Sequence, residues 1–144
     1  METAYYYKTN VEWKDGRIGQ MSGDGLEQIT VATPPEFPKG VPNIWSPEHL
    51  YVASINVCLM TTFLAIAENS KVDFVSYSAD ATGKLEKSEG KFMITEVDIA
   101  VNIKVKSEKD IERAERILYK SEEHCLISNS VKTKITLKPV ISLD

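Results

Sequence analysis

The chain has few of the features that would place it in a class at once. It has only two cysteines among 144 residues, and nothing marks them as a structural disulfide of a secreted domain. Its formal net charge of −4 excludes the basic footprint of a general nucleic-acid binder. The first residues lack a basic segment followed by an apolar one, so no signal peptide is expected. We therefore predict a cytoplasmic protein that does not bind nucleic acid.

The chain also lacks an unbroken hydrophobic run of membrane-spanning quality. The long apolar stretch from about residue 50 to 67 is interrupted by four polar side chains, so we expect a buried core helix and no membrane partner. Repeats, low-complexity segments and internal linkers are absent as well. With 42% hydrophobic and 26% charged residues, the composition is that of a globular protein. We predict one domain comprising residues 1–144.

The chain does contain clear patterns for strands. The strands predicted from β-branched residues, alternation and turn residues are 4–13, 17–21, 28–32, 72–85, 92–105 and 131–137, the last ending before Pro139. A proline-rich loop is expected over residues 33–45, which hold four of the six prolines. Two helices complete the order βββ-α-ββ-α-β, which is an α+β fold with a mostly antiparallel sheet.

The first helix has a well-marked start. Ser46 is a suitable N-cap and Pro47 suits the first helical position, and the pattern continues to Asn69. Its apolar residues cover most of the circumference, so the helix should be buried on more than one side. A chain this small can hardly surround it, and a homodimer is the simplest way to cover the rest. The second helix has an apolar stripe and follows a capping-box-like segment, 107–110.

The two cysteines lie in unlike settings. Cys58 is deep within the first helix pattern, where a cysteine is usually a small hydrophobic residue. It lies twelve residues beyond Ser46, too far for the helix dipole to stabilise a thiolate. A reactive Cys58 therefore needs a cation from elsewhere in the fold. Cys125 follows the second helix, and its spacing from His124 and His49 fits no common zinc motif.

Several short segments together resemble the OsmC/Ohr family of thiol peroxidases. They are Gly16-Arg17 with Gly19, Ser46-Pro47-Glu48-His49-Leu50, Cys58 in its apolar helix, and Cys125 with Ser128-Asn129. They occur in the family's order along essentially the whole chain. The resemblance implies an α+β fold in which antiparallel sheets wrap around a long central cysteine-bearing helix, in an intertwined homodimer.

The resemblance also implies a role for each of four residues. Cys58 would attack the peroxide and become a sulfenic acid, and Cys125 would condense with it to a disulfide. Arg17 would stabilise the thiolate and polarise the peroxide, and Glu48 would orient Arg17. The implied activity is thiol-dependent reduction of organic hydroperoxides, with hydrogen peroxide as a further candidate substrate. No cofactor or metal is implied, and an external dithiol (a lipoyl protein, a thioredoxin-like protein or a small thiol) would restore both cysteines.

Helix geometry adds a constraint on this site. Glu48 and Cys58 are ten residues apart, which is ~15 Å of rise and ~80° of rotation on one helix. Our hypothesis is therefore that Glu48 reaches Cys58 from the partner subunit, and for Arg17 both the same subunit and the partner stay open. Two positions depart from the family pattern: Leu126 stands where proline is common, and His49 where glutamate or glutamine is usual.

Two other functions are compatible with the same residues. One is a non-catalytic dimeric module, for stress response or for binding a small apolar ligand in the same cleft. The other is a hydrolase or acyl carrier with Cys58 as nucleophile, although no histidine–aspartate companion is evident.

Overall fold

A computed structural model describes residues 3–144. The chain forms two compact units, the first ending at Leu50 and the second comprising Tyr51–Asp144. The elements, in chain order, are β1 (Asn10–Asp15), β2 (Ile18–Ser22), β3 (Ile29–Ala32), α1 (Pro47–Asn69), β4 (Phe74–Ser88), β5 (Lys91–Val105), α2 (Lys109–His124) and β6 (Lys134–Leu143). This is the predicted order, with a short 3-10 turn at Ser128–Ser130 before β6.

The first unit contains a three-stranded antiparallel sheet in the order β1-β2-β3. Gly16 makes the β1–β2 turn with a φ of 52°, a conformation that glycine adopts without steric cost. The first strand begins at Asn10, later than the predicted residue 4. Residues 4–9 are exposed and outside any strand of the described chain, since a strand forms only where a neighbouring strand supplies hydrogen bonds.

Both ends of α1 are defined by local hydrogen bonds. At the start, the Ser46 Oγ accepts a hydrogen bond from the His49 backbone N–H at 3.1 Å, which is the predicted N-cap. At the end, Lys71 adopts a left-handed conformation with a φ of 55°. The Val72 N–H then donates to the Ala67 carbonyl and the Lys71 N–H to the Glu68 carbonyl, the pattern of a Schellman motif.

The second unit contains the sheet β4-β5-β6. β4 and β5 pair antiparallel, whereas β6 pairs parallel to β5 after the α2 crossover. The prediction that the last strand ends before Pro139 is wrong, because β6 continues through Pro139 to Leu143. Since β6 is an edge strand, a residue without a backbone N–H is tolerated there.

The start of α2 also differs from its prediction. The N-cap is Glu108, and its side chain makes no capping hydrogen bond, so the capping box expected at 107–110 does not form. Asp110 instead pairs with Arg113 at 2.8 Å, and Arg113 also donates to the Ser70 carbonyl at 2.8 Å. The buried carboxylate of Asp110 is therefore used to connect α2 to the end of α1.

The core of the second unit lies between the sheet and the helices. The alternating residues predicted to face it on β5 are all fully buried: Val97, Ile99, Val101, Ile103 and Val105. The stripe that α1 contributes is Ile55, Leu59, Phe63 and Ala67. Four-residue spacing puts this stripe on a single helix face.

The opposite side of α1 is not covered within the described chain. Val57 is 54% exposed and Leu64 is 38% exposed. Burial on more than one side, as predicted, is therefore not achieved by residues 3–144 alone. The helix is long and apolar enough to cross a membrane by length and composition, and 28% of its most apolar stretch is buried, but core helices of soluble proteins meet the same criterion.

Candidate functional site

Cys58 lies in the middle of α1 and is almost completely buried, with 8% of its surface exposed. Its Sγ is 4.0 Å from the Oγ1 of Thr62, one turn further along the helix. The other nearby hydroxyl is used by the helix itself, because Thr61 donates to the Cys58 carbonyl at 3.1 Å. Thr62 is therefore the hydroxyl that faces the sulfur.

Cys125 is the C-cap residue of α2, with an extended backbone that ends the helix. Its N–H donates to the Glu122 carbonyl at 3.3 Å, and its carbonyl accepts from the Asn129 N–H at 3.0 Å. The side chain is fully buried. The end of the helix and the following turn thus hold the thiol on the inside of the unit, while the neighbouring Leu126 is exposed.

The fold brings Cys58 and Cys125 together. Both are free thiols. Burial raises the pKa of the Cys125 thiol, and a hydrogen bond with Cys58 raises this pKa further. Ser128 opposes both influences, through its side chain and its backbone. Cys125 therefore holds its proton while its thiol interacts with that of Cys58.

The other two predicted site residues lie in the first unit. Arg17 is exposed between β1 and β2, and none of its nitrogens is within 4.0 Å of a carboxylate oxygen in residues 3–144. Glu48 is in the first turn of α1, and its Oε1 is buried without a hydrogen-bond partner in that same range. The structure of the single chain does not pair Arg17 with Glu48, and their roles stay predictions.

His49, which departs from the family pattern, takes part in the cap of α1. Its Nδ1 is 2.8 Å from the Ser46 Oγ and 3.3 Å from the Ser46 backbone nitrogen, which donates to it. Its ring packs edge-on against Trp45 with the centroids 6.0 Å apart. His49 therefore performs the part that glutamate or glutamine plays in a capping box, beside Glu48.

Two residues near Cys125 were not assigned a role from the sequence. Ser128 follows Cys125 by three residues. It is part of the segment that resembles the family, but the sequence did not indicate which side chain it would contact. Glu122 precedes Cys125 by three residues on α2, where several acidic residues are present and none stands out. Burial raises the pKa of the Glu122 carboxyl, and Ser128 partly opposes this rise.

A model of the OsmC-like protein family matches residues 40–140. An α+β fold of this order, with two interacting thiols on α1 and at the end of α2, is consistent with that match. The chain belongs to the OsmC-like protein family.

Solved structures share the fold over nearly the whole chain. An OsmC-like protein of unknown function from Vibrio cholerae is 26% identical, with a TM-score of 0.87 over 95% of this chain and 100% of that chain. An organic hydroperoxide resistance protein from Elizabethkingia anophelis is 22% identical, with a TM-score of 0.78 and full coverage of both chains. The organic hydroperoxide resistance protein OhrB of Bacillus subtilis is 21% identical, with a TM-score of 0.70 over 95% of this chain and 98% of its own. The predicted α+β class and OsmC/Ohr fold are confirmed.

A curated relative gives less information. An uncharacterized protein of Methanocaldococcus jannaschii is 29% identical over 90 residues, which are 62% of this chain. The match covers 46% of that protein, so the chain spans about half the length of the curated relative.

Proposed function

We propose that the protein is a cysteine-based peroxidase that reduces organic hydroperoxides. The Cys58 thiolate attacks the terminal peroxide oxygen, the O–O bond breaks, and Cys58 becomes a sulfenic acid. The departing alkoxide takes up the proton that the Cys58 thiol released on ionising and leaves as an alcohol. Cys125 then attacks the Cys58 sulfur, which releases water and forms a disulfide. An external dithiol returns both residues to thiols by exchange and is itself oxidised.

The interaction between the two buried thiols is the observation that carries this proposal. A cysteine buried for packing alone has no need of a second cysteine on another element beside it. Here Cys58 comes from α1 and Cys125 from the end of α2, and the interaction between them influences the pKa of Cys125. Similarity to proteins named for organic hydroperoxide resistance supports the same class of substrate.

Arg17 and Glu48 complete the proposed site. Cys58 is too far along α1 to benefit from the helix dipole, so its thiolate needs a cation, and Arg17 is the candidate. The unpartnered Glu48 Oε1 is a suitable acceptor for a guanidinium, because a buried carboxylate oxygen without a donor is costly. Glu48 would then orient Arg17 towards Cys58.

The proposed active form is a homodimer in the cytoplasm. The uncovered apolar side of α1 is the surface that a second copy would bury. In the cytoplasm the dithiol reductant would be a lipoyl protein, a thioredoxin-like protein or a small thiol, and the thiols would be kept reduced between turnovers. No metal or other cofactor takes part in the proposed cycle.

Titration with a single equivalent of cumene hydroperoxide tests the function. The reduced protein should lose two thiols per chain as an intramolecular disulfide, and Cys58→Ser should abolish the loss. Cys125→Ser should instead retain a sulfenic acid that a dimedone-type reagent traps. Thiols that survive excess peroxide would reject the peroxidase and favour the ligand-binding module.

A further inference from the structure

Glu122 is a partly buried carboxylate for which the proposed cycle has no role. Its Oε2 is completely buried and lacks a hydrogen-bond partner among residues 3–144. No lysine, arginine or histidine nitrogen in that part of the chain lies within 4.0 Å of it. A buried carboxylate oxygen without a hydrogen-bond partner is costly, so packing alone does not account for this residue.

Ser128 interacts with both Glu122 and Cys125. Its Oγ is also buried and has no hydrogen-bond partner of good geometry within residues 3–144. Ser128 nevertheless lowers the pKa of the Glu122 carboxyl and of the Cys125 thiol, which opposes the effect of burial on both groups. A hydroxyl is both donor and acceptor, so it is able to turn from one neighbour to the other. Hydrogen bonds of this kind are often loose before a reaction and tighten during it.

The local fold explains why these three residues meet. Glu122 is in the last turn of α2, and its carbonyl accepts the hydrogen bond of the Cys125 N–H. The chain then makes one further turn, in which the Asn129 N–H donates to the Cys125 carbonyl at 3.0 Å. Ser128 lies in this turn, shortly after the end of the helix.

Building on the proposed peroxidase cycle, we propose that Ser128 and Glu122 form a proton-transfer pair that deprotonates Cys125 as it attacks the Cys58 sulfenic acid. The Cys125 thiol gives its proton to the Ser128 Oγ, and the Ser128 hydroxyl proton moves to the Glu122 carboxylate. The Sγ–Sγ bond forms as the S–O bond of the sulfenic acid breaks. The departing hydroxide takes a proton from Glu122 and leaves as water, so Cys125 is oxidised, the sulfenic sulfur of Cys58 is reduced, and Glu122 is ready again.

Such a pair meets a need that is specific to Cys125. Only the thiolate is a good nucleophile, and burial together with Cys58 holds the pKa of this thiol above its usual range. A base is therefore required at neutral pH. The Glu122 carboxyl is suited to this because burial raises its pKa, which makes the carboxylate a stronger proton acceptor than an exposed one.

Single-turnover kinetics with cumene hydroperoxide separate formation of the disulfide from the preceding formation of the sulfenic acid. Loss of peroxide reports the formation of the sulfenic acid, and loss of the second thiol reports the disulfide. Glu122→Gln keeps the size of the side chain and removes its basicity. We expect unchanged peroxide consumption and a condensation step slowed by about 10²-fold, the lower end of the range for general bases. Glu123→Gln, at an exposed position on the same helix, is the matched control.

The pH profile distinguishes proton transfer from a structural role. In Glu122→Gln the condensation rate should simply rise with pH as the Cys125 thiol ionises, and Ser128→Ala should give the same profile. If both variants condensed at the wild-type rate and with the wild-type pH profile, the proposed proton-transfer pair would be rejected. Absence of any sulfenic acid in the wild-type protein would instead reject the peroxidase function itself.

Discussion

At the scale of single residues, Tyr77 is a partly buried side chain whose buried hydroxyl lacks a hydrogen-bond partner within the described residues. Its hydroxyl has no hydrogen-bond partner in residues 3–144, while its ring packs 5.3 Å from that of Phe63. Burial raises the pKa of this phenol from 10.0 to about 12. The ring thus supports the core of the second unit, and the hydroxyl weakens it.

Tyr77→Phe should therefore stabilise the protein. At neutral pH we expect the free energy of unfolding to rise by about 1 kcal/mol, because the variant keeps the ring and removes an unpaired polar group. The wild-type phenol ionises in the unfolded state near its ordinary pKa and stays protonated in the fold up to about 12. Wild-type stability should therefore fall as the pH rises through this window, and the variant should lose less.

Urea unfolding at neutral pH and at a pH between 10 and 12 measures both effects. Tyr119→Phe, at a position that is 48% exposed, is the control and should change neither value. If wild type and Tyr77→Phe lost the same stability at high pH, the Tyr77 hydroxyl would not be the cause of that loss.

Only part of the candidate site around the two cysteines could be predicted from the sequence. The separation of Cys58 and Cys125 along the chain does not predict their interaction, and only the resemblance to a family suggested it. Ser128 and Glu122 were missed because their importance depends on the conformation of the turn after α2. Arg17 and Glu48 stay predictions, since the single chain does not pair them.

At the scale of elements, local signals were reliable where local chemistry decides the structure. Ser46 and Pro47 marked the start of α1 because a cap needs only its own neighbours. The segment from Ser107 to Asp110 misled because Asp110 pairs with Arg113 on α2, and Arg113 also makes a tertiary hydrogen bond to the Ser70 carbonyl. The extension of β6 through Pro139 likewise depends on its position at the edge of the sheet, which the chain order alone does not reveal.

The packing of α1 on β4 depends on a glycine. A Cβ at Gly83 would lie 2.5 Å from the Val52 Cγ2, which is too close for any real contact. Val52 is β-branched and stiff, so it cannot easily turn away. Gly83→Ala should push α1 off the strand and lower the free energy of unfolding by about 1–3 kcal/mol.

A double-mutant cycle isolates this contact. Val52→Ala leaves space, so Gly83→Ala made in that background should cost much less than in the wild type, with a coupling of about 0.5–3 kcal/mol. Urea unfolding of the four proteins gives the value. Additive losses would mean that Gly83 is needed for another reason, such as the bend of the strand.

At the scale of the whole molecule, the described chain leaves much apolar surface uncovered. The uncovered side of α1 includes Val57 and Leu64, and the first unit exposes Tyr7, Val11 and Trp13. Residues 4–9 have strand composition and no strand beside them. Such surfaces are typical of a chain that buries them against a second copy, although the single-domain and homodimer predictions both stay predictions.

Mixed dimers test whether that second copy completes the site. If Glu48 acts across the dimer, a Cys58→Ser chain paired with a Glu48→Ala chain contains one intact site, made of Cys58 from one chain and Glu48 from the other. Each homodimer lacks an intact site. Co-expression with two different affinity tags yields the heterodimer free of both homodimers.

The expected result is peroxide turnover in the heterodimer at about half the wild-type rate per dimer, with both homodimers strongly impaired. If Glu48 acts within its own chain, every site of the heterodimer is defective, and its activity should equal the mean of the two homodimers. The same experiment with Arg17→Ala in place of Glu48→Ala tests whether Arg17 also comes from the partner subunit. Rescue in one pairing and not the other would mean that the partner subunit supplies only one of the two groups, and a monomer at working concentrations would reject the shared site altogether.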